Sequence, residues 1–193
     1  MLKTFTLILA LVLAPAAVAA DKEETPLPNP LVTVKTSDGT FTLRLFRDKA
    51  PATVENFLKY VDEGFYNGTI FHRVIPDFMI QGGGFVADMS EKETHEPIKN
   101  ESRNRLHNTR GTVAMARTND PDSATSQFFV NLRNNLRLDW APGRDGYTVF
   151  GEVIEGMKVI DFIATVPTGQ AGPHSDVPTE TVTIIEVKRK SIL

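Results

Sequence analysis

A mainly β domain, curled into a barrel or sandwich and carrying two helices, is the architecture this sequence predicts, and three observations point to it. Short runs of alternating or β-branched residues recur from Leu31 to Val187. Helical spacing occurs only twice, once early and once late, so strands and helices do not alternate as a parallel-sheet layout requires. Removing a leader of 19 residues from the 193 leaves 174, the size of one domain with a single core.

The elements follow in order. Residues 1–19 read as an export leader: Lys3, an apolar run from Phe5 to Ala14 broken only by Thr6, then Ala17-Val18-Ala19 before Ala20. That run falls well short of the roughly 20 apolar residues that span a bilayer, which predicts cleavage after Ala19 rather than anchoring, and no lasting membrane association afterwards. Residues 20–30, with Pro26, Pro28 and Pro30, predict a flexible lead into a domain over 31–193. Leu31 to Thr36 and Thr40 to Leu45 alternate around the turn Ser37-Asp38-Gly39, a hairpin. Pro51 suits a first helical turn; Val54, Phe57, Leu58 and Val61 then share one face, and Gly64 is placed to end the helix. Strands are predicted over 69–74, 78–81, 112–116, 127–131, 148–153 and 181–187. Val159, Ile160 and Ile163 after Gly156 predict a second helix of similar length.

Composition excludes several classes. Without the leader the chain carries 20 basic and 24 acidic residues, a formal charge of minus 4, unlike the basic face of a nucleic-acid binder. It has no cysteine, so stability rests on packing alone. His72, His95, His107 and His174 lack metal-ligand spacing and read as surface or turn residues; Asp120 and Asp122 flank Pro121 without the rest of a calcium pattern. Gly82-Gly83-Gly84 lacks the lysine and hydroxyl of a phosphate loop and instead suits close backbone approach. No metal or cofactor is expected.

What remains is a cation among apolar side chains. Period two places Phe71, Arg73 and Ile75 on one face, Met79 with Gln81 on another, and Gln127 with Phe129 on a third. An ionised arginine beside Phe and Ile loses hydration unless it reaches the rim or finds carbonyl partners. Apolar walls with isolated hydrogen-bonding groups suit a neutral, greasy substrate.

Phe71-His72-Arg73-Val74-Ile75-Pro76, Phe78-Met79-Ile80-Gln81-Gly82-Gly83, Ala114-Met115-Ala116, Ser126-Gln127-Phe128-Phe129 and Val149-Phe150-Gly151 closely resemble the cyclophilin family of peptidyl-prolyl isomerases, in its order and spacing. The signal-like leader, the triple glycine and Thr109-Arg110-Gly111-Thr112 make the chain most similar to the exported, periplasmic type of Gram-negative bacteria. The resemblance implies a closed eight-stranded antiparallel β-barrel capped by two α-helices, with a substrate groove on its outer wall. It implies that Arg73 is catalytic. Phe78, Met79, Phe129 and Leu138 then wall a proline pocket, and Gln81 with the backbone at Ala116 and Arg117 holds the substrate chain. Ile75, Thr118, Gln127 and Tyr147 complete the groove, with Tyr147 where many relatives have histidine. Proline-containing, unfolded or partly folded exported polypeptides are the implied partners, and the protein is expected to be a monomer acting in the periplasm.

Departures from the family also carry expectations. Arg137 stands where tight binders of the cyclic peptide cyclosporin carry tryptophan, and Trp140 does not align with it, so weak cyclosporin binding is expected. Arg117 and Thr118 replace a common asparagine and alanine, which bears on preference for residues flanking proline. Asp77 stands where glycine is frequent. The alternative to turnover is a proline-peptide binding module or holdase, which loss of Arg73 or of the pocket aromatics would favour; all are present.

Overall fold

The computed structural model describes residues 28–190. The leader and most of the segment 20–30 lie outside the described residues. Its last residues are held in place: the Pro30 carbonyl accepts from the Leu45 N–H at 2.9 Å, and Asn29 Oδ1 accepts from the Arg47 N–H at 3.2 Å.

Ten strands and two helices follow one another: β1 (Leu31–Thr36), β2 (Gly39–Leu45), α1 (Pro51–Asp62), β3 (Arg73–Ile75), β4 (Met79–Gly82), β5 (Thr112–Met115), β6 (Phe128–Asn131), β7 (Val149–Glu155), α2 (Met157–Ile163), β8 (Thr168–Ala171), β9 (His174–Pro178) and β10 (Ile184–Lys190). Eight strands form one antiparallel sheet in the order β10-β1-β2-β7-β5-β6-β4-β3. It curls until its ends approach each other. Between them the chain before β3 bonds to the chain entering β10: Phe71 N–H to the Val182 carbonyl at 2.9 Å, Gly68 N–H to Ile184 at 2.8 Å, and Ile184 N–H to Thr69 at 2.7 Å. These bonds satisfy backbone groups that a free edge would expose.

Alternation along the strands separates two apolar regions. Val32, Val34, Phe41, Leu43, Ile80, Val113, Met115, Phe128, Val130 and Phe150 point inward to the main core. α1 plugs one end of it, and Phe57 packs its ring against Tyr66, Phe128 and Phe150 at centroid distances of 5.1, 5.6 and 5.1 Å. Residues of opposite parity, Met79, Ala114, Phe129 and Val149, form a second cluster on the outer wall. This outer face is covered by Leu106, Leu138 and Tyr147, which explains why every residue of β6 is buried.

Several expectations are corrected. The strand predicted from Thr69 begins only at Arg73; Thr69 and Ile70 make isolated bridges to Val86 and Thr183. Phe71 therefore escapes the alternation that would set it beside Arg73 and lies fully buried in the main core. α2 has seven residues against twelve in α1. Pro167 follows closely and restricts the residue before it to extended backbone. The hairpin β8–β9 has no counterpart in the sequence reading, because β8 is largely exposed and neither strand carries an apolar alternation.

Candidate active site

Strand register assembles the site. Arg73 on β3 pairs with Gln81 on β4, Gln81 with Phe129 on β6, and Phe129 with Ala114 on β5, one row across four strands. Cross-strand neighbours on one face stand within side-chain reach. Ile75 pairs with Met79 one step along. The turn between β3 and β4 holds Asp77 at φ +56°, the left-handed conformation that glycine and, among other residues, aspartate tolerate. That geometry accounts for a residue to which the sequence assigns no function.

The outer wall bears a cavity of about 210 Å³ lined by Arg73, Phe78, Met79, Gln81, Ala116, Arg117, Phe129, Leu138 and Tyr147. Thr118 and Gln127 lie next door, in a cleft that shares Gln81, Ala116 and Arg117 with the cavity and adds Glu91, Ser123 and Thr125. Ile75 packs against the apolar cluster behind the cavity and does not line it. The structure thus gathers nine of the twelve sequence-derived site residues in one cavity and two more beside it.

The two arginines in the cavity differ in what binds them. Arg117 is bonded through every guanidinium nitrogen: Nε donates to the Gly146 carbonyl at 3.2 Å, one terminal nitrogen to the Asp145 carbonyl at 2.8 Å and the other to the Thr118 carbonyl at 2.8 Å. Its guanidinium also lies 4.5 Å from the ring centre of Tyr147, which itself meets Phe129 edge-on at 5.6 Å. The Arg73 side chain makes no hydrogen bond among the described residues; among them it is ion-paired only with Asp176, with Nε 3.8 Å from Oδ2 and both side chains about two-fifths exposed. The rim position expected for a guanidinium between apolar neighbours is therefore occupied by Arg73 without any carbonyl partner.

Backbone donors sort in the same way. The Ala116 N–H is spent on the Gln127 carbonyl at 2.9 Å, which removes it from the groups able to hold a substrate. The Arg117 peptide N–H and carbonyl have no partner among the described residues. Gln81 Nε2 donates to Gln127 Oε1 at 2.9 Å, and Gln127 Nε2 to Glu91 at 3.2 Å, so two amides and a carboxylate form a chain along the groove.

Sequence reasoning missed Glu91, Ser123, Thr125 and Asp176, which come from loops or from the hairpin β8–β9 and carry no local pattern. It also misread His72, which is buried rather than at the surface. Its ring packs tilted against Phe85 with centroids 4.6 Å apart, and its Nδ1 has no partner among the described residues. Burial first, then the charges of His174 and Arg73, lower its pKa from 6.5 to about 4. Among the described residues no cluster of His, Cys, Asp and Glu could hold a metal, and no helix is long and apolar enough to cross a membrane.

Comparison with known proteins agrees with this geometry. Residues 31–189 match the family model of the cyclophilin type peptidyl-prolyl cis-trans isomerases. The chain is 57% identical over 166 residues to a peptidyl-prolyl cis-trans isomerase of Acinetobacter baylyi, covering 86% of this chain and 88% of that one. It is 56% identical over 161 residues to peptidyl-prolyl cis-trans isomerase B of Escherichia coli, covering 81% and 98%. A crystal structure of a cyclophilin type isomerase from Cryptosporidium parvum superposes with a TM-score of 0.74 at 26% identity, covering 86% of this chain and 99% of that one. The same protein has been solved in the presence of the dipeptide Ala-Pro. With a curled eight-stranded antiparallel sheet, an apolar outer cavity and this similarity over most of its length, the chain belongs to the cyclophilin-type peptidyl-prolyl cis-trans isomerases.

Proposed function

We propose that this enzyme accelerates rotation about X-Pro bonds in exported polypeptides as they fold in the periplasm, with Arg73 stabilising the twisted imide. The observation that carries the assignment is that, of the two arginines lining the cavity walled by Phe78, Met79, Phe129 and Leu138, Arg117 is tied down through all three guanidinium nitrogens whereas the Arg73 guanidinium has no hydrogen-bond partner among the described residues. Export is supported by the leader pattern of residues 1–19 and by the absence of cysteine.

Rotation passes over a barrier of roughly 18–20 kcal/mol because amide resonance is lost on the way. In the twisted state the imide nitrogen regains a lone pair that accepts a hydrogen bond; in the planar state that pair is delocalised. A donor aimed there stabilises the transition state and leaves the ground state nearly untouched. Arginine suits the task because it stays protonated and presents several donors in a rigid plane. An acceleration on the order of 10⁵ needs about 7 kcal/mol. One charge-assisted hydrogen bond supplies roughly 1.5–3. The apolar walls contribute the remainder by gripping the proline ring away from water, while Gln81 and the free Arg117 peptide group hold the chain in place. No covalent step enters.

Exchange spectroscopy on a proline tetrapeptide, with wild type and Arg73→Ala, tests the assignment. The expected result is a large fall in exchange rate with peptide affinity roughly kept; unchanged exchange rejects Arg73 as the catalytic group. Negligible exchange by the wild type, with binding intact, would instead favour a holdase. Sequencing the mature protein from a periplasmic extract should find Ala20 at its amino terminus.

A further inference from the structure

Arg73 lies on the wall between two depressions. Besides the proline cavity, it and Gln81 line a second groove of about 400 Å³ with His72, Phe85, Pro173 and His174. A guanidinium on a long stem, about two-fifths exposed and without a hydrogen bond among the described residues, has two places to fall. Holding such a side chain in one geometry costs rotamer entropy.

We propose that Asp176, on the hairpin β8–β9, is a positioning residue that fixes Arg73 for catalysis. β9 lies directly against β3, and Asp176 brings Oδ2 to 3.8 Å from Arg73 Nε. It does so at φ +62°, in the left-handed region. A carboxylate on the Nε edge leaves the terminal amino groups for the substrate, and its attraction narrows the set of rotamers open to the guanidinium. Ser175 Oγ donates to the same Oδ2 at 3.4 Å. The pair is close enough to bias the side chain and long enough to let it shift when an imide nitrogen competes for it. Asp176 touches no substrate in this scheme; it acts through Arg73, and the inference therefore rests on the catalytic assignment above.

The test uses the whole mature protein with Asp176→Asn and Asp176→Gly, two residues that accept a left-handed backbone, so that the turn is kept while the charge is lost. Exchange rates and KM are measured in each, alone and in the Arg73→Ala background, together with melting temperatures. Expected is a fall in kcat of about two- to five-fold, the range an exposed ion pair is worth. KM and melting temperature should stay unchanged in both variants, and neither should alter the residual rate of Arg73→Ala. Added salt should slow the wild type toward the variants and leave the variants flat. An unchanged kcat, a change confined to KM, or an equal fall in the Arg73→Ala background overturns the proposal. Full activity of Arg73→Ala would reject the catalytic assignment itself, whereas a slow Arg73→Ala beside fully active Asp176 variants would reject the positioning role alone.

Discussion

Gln127 lies so close over Gly84 that a Cβ on the glycine would stand 2.5 Å from Gln127 Cγ. Glycine here is a matter of space, and the space decides where the amide chain Gln81–Gln127–Glu91 runs. Gly84→Ala should push Gln127 out of the groove and unseat Gln81. On the proposal that those amides hold the chain rather than the reacting bond, KM for a proline tetrapeptide should rise several-fold with kcat little changed. An unchanged KM would show that the amide chain plays no part in holding substrate.

Phe57 binds the helix α1 to the sheet through ring contacts with Phe128 and Phe150, and to the following turn through Tyr66. It is fully buried. Phe57→Ala should cost about 3–5 kcal/mol of stability, read from the urea midpoint. A loss well under that range would mean the end of the barrel collapses around the gap.

His72 should make stability depend on pH. Its folded pKa is about 4 against 6.5 when free, so between those values the unfolded chain binds the proton and the folded one does not. Stability conferred by the neutral ring is thus complete above the unfolded value and declines as pH falls through the window, by roughly 3 kcal/mol once below it. Other groups contribute to acid unfolding in any variant. His72→Phe should therefore flatten, relative to wild type, the fall in urea midpoint between about pH 7 and pH 4; parallel curves would mean that His72 takes up its proton as readily in the folded protein as in the unfolded chain.

Cyclosporin should inhibit weakly. Arg137 is exposed and does not line the proline cavity, and Trp140 sits away from it, 5.3 Å from the Arg103 guanidinium. No indole is thereby available to the drug at the cavity wall. Titration of exchange activity with cyclosporin checks this, and inhibition at nanomolar drug would overturn it.

Elements with local signals were legible in the chain. Pro51 and the apolar set Val54, Phe57, Leu58 and Val61 mark α1 within a residue of its observed ends, and the hairpin β1–β2 follows from its alternation and turn. Even there a tertiary contribution was hidden: Ala50 caps nothing, and the Glu101 carboxylate accepts from the Ala52 and Thr53 N–H groups at 3.1 and 2.8 Å across 48 residues or more. Site residues in the motif-bearing strands could be named because their pattern is contiguous. Asp176 and Glu91 could not, since nothing near them in the chain signals the partner they meet.

Residue order alone settled α1, the hairpin β1–β2, most strands of the main sheet and the family pattern, because those depend on side chains a few positions apart; it missed the hairpin β8–β9 and the inward turn of Phe71. Only the folded sheet decided that Arg73, Gln81, Phe129 and Ala114 stand in one row, that the Arg117 guanidinium is hydrogen-bonded through all three nitrogens and that of Arg73 through none among the described residues, and that an aspartate from a distant hairpin reaches the Arg73 guanidinium. Those outcomes depend on register and on which donors find acceptors first, and both are set by long-range closure of the sheet.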